Sequence, residues 1–356
     1  MWLFNSSIGR KLVMAVTGAC LVLFVTFHVL MNSVALIWPA AYNQVCEFLG
    51  ANWYALIATV GLAALFILHI VYALWLTIQN RKARGNDRYA VTSRPPQVEW
   101  ASKNMLVLGI VVLAFLVVHL IQFWAKMQWQ ELRHADLAVL PMLEGGIVEP
   151  AQGTLFLQLA FSQVWTPIVY IIGFVALWFH MNHGFWSMFH STGWDNQIWL
   201  PRLKKIGCWW TTIVIALFVA QAIVFTVHAH SNYYIDNPTL QEQYAETLAN
   251  KGEELYNEFT SEYTAYQRDL KAAEESKEGL SVTMKHDKDI EFFSKEGVAF
   301  LEKAMIIVDT YEIRCPQVGN PPAGFQNLGN AVQFTVTRCM QLGIKLPESV
   351  SNKINR

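Results

Sequence analysis

Charge is scarce in this chain. Only 15% of its 356 residues are Asp, Glu, Lys or Arg, and five long segments, at roughly 12–37, 54–78, 104–126, 165–189 and 208–230, have none except near their ends. With 54% hydrophobic and 13% aromatic residues, that shortage excludes an ordinary soluble domain over most of the length. Cysteine is sparse too. The five cysteines stand far apart, so there is no Cys-x-x-Cys-His for covalent c-type haem and no cluster for iron-sulfur ligation. A Gly-x-Gly-x-x-Gly fingerprint is also missing, which removes the usual flavin-nucleotide cradle. No small-residue cleavage site follows the first apolar run, which continues to spanning length and is therefore expected to stay as a helix.

What is present is a membrane protein with an appendage. Each of the five runs is long enough to cross a hydrocarbon core of about 30 Å. The net charge of −1 hides a split between an apolar 1–230 and a polar 231–356 that holds most of the Glu and Lys. It therefore carries no information about partners, and nucleic acid is not expected among them. Arg10 and Lys11 precede the first run. Arg81, Lys82, Arg84, Arg88, Arg94, Lys103, Arg202, Lys204 and Lys205 follow the second and fourth, whereas the other two loops offer only Lys126 and Arg133. By the positive-inside rule the amino terminus and the two basic loops are cytoplasmic, and an odd number of spans sends 231–356 outside. Trp38, Trp53, Tyr54, Trp124, Trp129, Trp165, Trp209 and Trp210 are expected near span ends, where amphipathic rings favour the interface.

Four of the runs contain a histidine: His28, His69, His119 and His180. An imidazole in hydrocarbon is costly and marks function. At 1.5 Å per residue, His28 and His119 fall about 10–14 Å below the outer surface, and His69 and His180 lie at a similar depth from the inner one. Two pairs at two depths is the pattern of two bis-histidine haems, since neutral imidazole is an axial ligand of haem iron. His183 shares nearly the phase of His180 and competes with it. His190, with Ser191, is read as an inner-surface residue that meets a haem propionate or simply the interface. His228 and His230 end the fifth run, and His134 and His286 lie outside the runs. Gly18, Gly61, Gly109, Gly173 and Gly184 fit close approach of a flat macrocycle, although glycine also serves plain helix packing in membranes.

The residues Ser7-Ile8-Gly9-Arg10-Lys11, Met14-Ala15-Val16-Thr17-Gly18 and Phe27-His28 ahead of Asn32, with Phe179-His180, Gly184-Phe185-Trp186 and Gly193-Trp194, complete a recognisable pattern. Over about 1–230 the chain resembles the five-helix, di-haem cytochrome b membrane-anchor subunit of succinate dehydrogenase and quinol:fumarate reductase, the succinate:quinone oxidoreductases. The resemblance implies an all-α bundle with two haem b groups. His69 and His180 would hold the proximal haem, and His28 and His119 the distal one. It implies a bacterial cytoplasmic membrane, menaquinone as substrate, and a flavoprotein and an iron-sulfur subunit on the cytoplasmic face that supply the dicarboxylate chemistry. It also allows a dimer of the whole complex. Some relatives have a glutamate just before the fourth-run ligand, whereas positions 176–179 here read Ala-Leu-Trp-Phe, which leaves no equivalent proton path. Glu47, the only acid of the first outer loop, is the candidate for quinone-linked proton transfer, against a plain solvated carboxylate. The alternatives are a cytochrome b561-like reductase and a haem-free transporter or receptor.

Beyond 230 the chain departs from that pattern. Stretches 242–251 and 263–277 read as charged amphipathic helices, loop chemistry follows Pro316, and a mixed run covers 332–342. A mostly helical extracytoplasmic region is expected, with a partly disordered stalk as the alternative. Cys315 and Cys339 would stand in an oxidising compartment where they could bridge, with Cys46 as a competitor, while Cys20 and Cys208 read as small apolar residues.

Overall fold

Ser6 starts the first helix: its hydroxyl accepts the Gly9 N–H at 2.9 Å and satisfies a donor that the first turn leaves free. Helix α1, Ser7–Ile37, then runs until Trp38, which Pro39 forces out of helical geometry (φ −147°, ψ 86°). The proline opens α2, Pro39–Gly50, and α3, Trp53–Arg84, follows. In the computed structural model the described residues are 6–50, 52–84, 99–194, 196–275 and 281–354, so Arg88 and Arg94 lie outside them. Two compact units result: Met1–Glu131 with Pro150–Tyr233, and Leu132–Glu149 with Tyr234–Arg356.

The first unit continues with α4, Met105–His119, prolonged by a π-turn at Leu120–Trp124, then α5, Gly153–Phe161, α6, Trp165–Ser187, and α7, Trp199–His230. Among the described residues five helices are long and apolar enough to cross a membrane: Ser7–Ile37, Trp53–Ala83, Met105–Trp124, Trp165–His190 and Trp199–His230. These are the five expected runs with three ends extended: the first begins at Ser7 rather than 12, the second reaches Ala83 rather than 78, and the fifth starts earlier. The fifth helix begins at Trp199 rather than 208, because Asn196 accepts the Ile198 and Trp199 N–H groups and Pro201 suits a first turn. Trp209 and Trp210 therefore lie about three turns inside the helix instead of at its end. The indole of Trp210 donates to Thr26 Oγ1 of α1 at 3.1 Å.

Neighbouring helices are tied at both ends of the bundle. Arg10 donates to Gln79 Oε1 at 2.8 Å, which sets the start of α1 beside the end of α3. At the other end, α2 and α5 occupy segments read from sequence as loops. Every residue of α5 except Leu159 is buried. At nine residues it is about 14 Å long, too short to span, so hydropathy alone did not separate it from its surroundings. Asn43 of α2 holds it by donating to Gln152 Oε1 at 3.0 Å and accepting the Thr154 N–H at 2.9 Å. Gly153 is obligatory there, because a Cβ would collide with Tyr42 and Cys46.

The second unit is helical around a small hairpin. Strands β1, Met142–Leu143, and β2, Gly146–Ile147, pair antiparallel through a turn with positive φ at Glu144 (47°) and Gly145 (90°), the type I′ signature. Asn237 caps α8, Pro238–Glu274, with Pro238 in its first turn. Thus the two amphipathic stretches expected at 242–251 and 263–277 lie largely on one helix. Ser281 caps α9, Val282–Phe292, which passes through a π-turn at Phe293–Gly297 into α10, Val298–Arg314. Helix α11, Gly324–Gln341, takes in most of the run expected at 332–342. It closes at Gly343 (φ 70°), where the Gly343 and Ile344 N–H groups reach the Met340 and Cys339 carbonyls, and α12, Glu348–Ile354, follows. Leu248, Phe293, Leu301, Ile307 and Leu328 are fully buried and form the core of this unit.

All five cysteines are free thiols. Cys315 donates to the Gln241 carbonyl at 3.4 Å and Cys339 lies against the Phe293 carbonyl, so no Cys315–Cys339 bridge forms.

Candidate functional site

The structure brings the four span histidines together as two pairs across helices. The rings of His28 on α1 and His119 on α4 have centroids 5.8 Å apart, and those of His69 on α3 and His180 on α6 are 6.3 Å apart. Both pairs are steeply inclined, at 83° and 68° between ring planes. A metal ion bonded to two imidazole nitrogens at about 2 Å each puts the ring centroids about 6 Å apart.

The pairs are separated along the bundle. Gly18 of α1 backs onto His69, and Gly109 of α4 backs onto His180: a Cβ at either glycine would meet the ring Cε1 at 3.6 Å. Gly18 precedes His28 by the same ten residues that separate Gly109 from His119, so the two levels are about 15 Å apart on both helices. That repeated Gly-to-His spacing was a readable sequence signal.

In three of the four rings the hydrogen-bond partners indicate which nitrogen carries the lone pair. Thr17 Oγ1 lies 2.8 Å from the Val13 carbonyl and 3.1 Å from His69 Nδ1; with its proton on that carbonyl, the shorter contact, the oxygen accepts the Nδ1–H of His69. Tyr170 likewise donates to Gln122 Oε1 at 3.0 Å and accepts from Nδ1 of His119 at 3.1 Å. In both rings the lone pair is then on Nε2. His28 reaches the same tautomer by another route. Tyr42 donates to Asn32 Oδ1, so the Asn32 amide nitrogen is the donor that meets His28 Nε2 at 3.2 Å. A metal there would take the place of that amide. His180 Nδ1 is buried with no hydrogen-bond partner, the orphan of the set.

The donor set also limits what fits. Among the described residues no three His, Cys, Asp or Glu side chains converge on a metal position. A bare zinc ion requires about four ligands, whereas a haem brings four of its own and takes two imidazoles from the protein. The residues present therefore fit a macrocycle-bound metal: two neutral imidazoles per site, glycine backs at one level, and hydroxyl or amide partners that orient the rings.

His183 is engaged elsewhere, with Glu99 and Trp186. Its Nδ1 lies 3.5 Å from Glu99, and its ring packs edge-on against Trp186 at 4.7 Å. Lys204 completes this cluster, with its Nζ 2.7 Å from Glu99 and 4.2 Å above the Trp186 ring. Burial pushes the Glu99 carboxyl up, but the hydrogen bonds and charges of Lys204 and His183 outweigh it and leave the group below its ordinary value. His190 stacks edge-on against Trp186 at 5.2 Å, and His228 stacks on Tyr233 at 4.2 Å. His230 bonds to the Thr226 carbonyl, His134 sits in a turn with φ 46°, and His286 is exposed. Glu47 is exposed on α2.

Sequence reasoning missed the ring partners Thr17, Asn32 and Tyr170, and Gln122, which holds Tyr170. Asn32 and Gln122 were within one turn of His28 and His119, a signal available at i+4 and i+3. Thr17 and Tyr170 contact histidines of other helices, which no local pattern reports. No family model, no curated protein and no solved structure matches this chain.

Proposed function

We propose that this chain is a two-haem transmembrane electron carrier, with His28 and His119 holding one haem b and His69 and His180 the other. The observation that carries the reading is the pair of cross-helix histidine couples, each with rings about 6 Å apart and about 15 Å from the other couple along the bundle. More particularly, the amino-terminal and fourth-helix motifs favour the membrane-anchor subunit of a succinate:menaquinone oxidoreductase or quinol:fumarate reductase. In that reading the chain lies in a bacterial cytoplasmic membrane with its basic end inside. It docks an iron-sulfur subunit, and through it a flavoprotein, on that side.

Haem held by two imidazoles supplies one-electron exchange at iron. The chain's own residues do the rest. Thr17 and Tyr170 hold His69 and His119 with Nε2 free, Gly18 and Gly109 make room beside His69 and His180, and the apolar spans keep water from the sites. Two sites at two depths give electrons a path between the iron-sulfur partner and a quinone in the lipid. Quinol oxidation releases protons, and Glu47 is the carboxylate assigned to receive them.

A reduced-minus-oxidised spectrum of membranes containing the protein is expected to show b-type haem, and His69→Ala or His180→Ala to remove one of two haems. Retention of both haems in either variant overturns that ligand. Flavin and iron-sulfur subunits are expected to co-purify. Their absence from a haem-loaded preparation would favour a b561-like reductase, and the absence of a Soret band a haem-free transporter or receptor.

A further inference from the structure

We infer that Tyr170 is a positioning residue that sets the potential of the outer haem through His119, an inference that rests on the two-haem reading above. Tyr170 is 5% exposed, and its ring is wedged edge-on among Phe115 (5.0 Å), Phe161 (5.2 Å) and Phe174 (5.9 Å), so the hydroxyl has one position. From there it accepts the Nδ1 proton of His119 and gives its own proton to Gln122.

Gln122 is itself held. Its amide nitrogen donates to Thr166 Oγ1 at 3.0 Å, and Thr166 is completely buried. The glutamine sits in the π-turn that follows His119, a distortion of the kind that gathers at functional sites because it re-aims side chains. Burying an amide and a phenol in an apolar bundle is unfavourable unless each polar group is paired, and here the pairing runs in one direction, from His119 through Tyr170 to Gln122.

The electronic consequence follows from that direction. A phenol that donates elsewhere is a better acceptor, so it draws the Nδ1 proton and makes the imidazole a more basic ligand. A more basic axial ligand favours ferric over ferrous iron and lowers the potential. Among the described residues the Thr17 partner of His69 carries no such relay, since the Thr17 hydroxyl ends on its own helix backbone. Tyr170 thus acts on one haem only.

Redox titration of membranes carrying the full chain with its partner subunits tests this. His119→Ala first identifies the outer haem as the one that is lost. Tyr170→Phe keeps the ring packing and removes only the hydroxyl. Both haems are expected to be retained, with the midpoint of the outer one raised and that of the inner one unchanged. Gln122→Met, which leaves the phenol in place without its acceptor, is expected to give a smaller rise of the same sign. Unchanged potentials in Tyr170→Phe, or equal shifts of both haems, overturn the inference while leaving the two-haem reading intact. If Tyr170→Phe loses the outer haem, Gln122→Met decides in the same way. A wild-type protein without haem overturns both readings.

Discussion

Gly109 backs onto His180: a Cβ added to the glycine would sit 3.6 Å from Cε1 of the ring, and Gly18 stands in the same relation to His69. That distance is ordinary van der Waals contact, so a methyl group fits and anything longer drives into the imidazole. On the proposed two-haem reading, Gly109→Ala and Gly18→Ala are expected to keep both haems. On the same reading, Gly109→Leu and Gly18→Leu are expected to lose the haem proposed for His69 and His180 and to retain the one proposed for His28 and His119, halving the haem content per chain. Equal haem in the alanine and leucine variants at both positions would show that the glycines serve helix packing alone.

The hydroxyl of Thr17 offers a milder test at the same level. Thr17→Val is nearly isosteric and leaves His69 Nδ1 without its acceptor, so the ring loses both orientation and basicity. Loss of such a partner typically weakens metal binding by about 10–100-fold. On the two-haem reading the expected result is partial occupancy of the His69–His180 site, read as preferential transfer of that haem to a competing apoprotein, with the haem proposed for His28 and His119 unaffected. Equal release of the two haems would sink it.

How much of this was legible in the sequence follows from what each signal measures. The five spans were readable because hydropathy reports the absence of charge over about 20 residues, and the pairing by depth was readable because helical rise converts sequence position into height. His180 and His183 differ little in depth and phase, and the choice between them depends on Glu99, which approaches His183 from outside the helix. Helix α5 was hidden because nine apolar residues look alike as a strand, a loop or a buried helix. The fifth helix began earlier than hydropathy indicated, since Arg202, Lys204 and Lys205 lower the average without breaking the helix. In the second unit the I′ hairpin was obscured because its turn begins with Glu144, not the usual Asn or Asp.

That hairpin packs against Arg314. A Cβ on Gly146 would lie 3.1 Å from Arg314 Nε and 3.2 Å from its Cγ, while Thr310 accepts the neighbouring Ile147 N–H at 3.1 Å. The guanidinium is buried with Nε and Nη2 unpartnered, and its pairing with Glu144 is long, at 3.5 Å. A methyl group on Gly146 would force this buried side chain to shift by a few tenths of an ångström. Gly146→Ala is expected to destabilise the second unit by about 1–3 kcal/mol, as overpacking does. Arg314→Met, which replaces an incompletely paired buried cation with an apolar chain of similar length, is expected to be neutral or stabilising. Limited proteolysis of the full chain, followed at bonds within 234–354, reads both. A tolerated Gly146→Ala together with a strongly destabilised Arg314→Met would reverse this account of the site.

Alkaline pH acts on two thiols that their surroundings keep protonated, the buried Cys315 and the partly buried Cys46. Burial pushes Cys315 up to about 12 despite the opposing pull of Arg314, and it pushes Cys46 up to about 12 despite hydrogen bonds from Tyr42 and the Gly153 backbone. An unfolded cysteine ionises near 8.5. Each thiol therefore stabilises the fold fully below that pH, because the unfolded chain has nothing to gain by releasing the proton. Between about 9 and 12 the unfolded chain ionises while the folded chain does not, and stability falls as pH rises through that window. Cys315→Ala is expected to flatten the decline, at the expense of a small cavity and the Sγ contact with the Gln241 carbonyl. Alkylation at pH 8 gives a second readout: Cys46 and Cys315 are expected to react only after denaturation, because the thiolate is the nucleophile and almost none forms in the fold. Modification of Cys315 in the native chain at the rate of a free thiol would mean that this part of the core opens readily, and the alkaline window would then lose its cause.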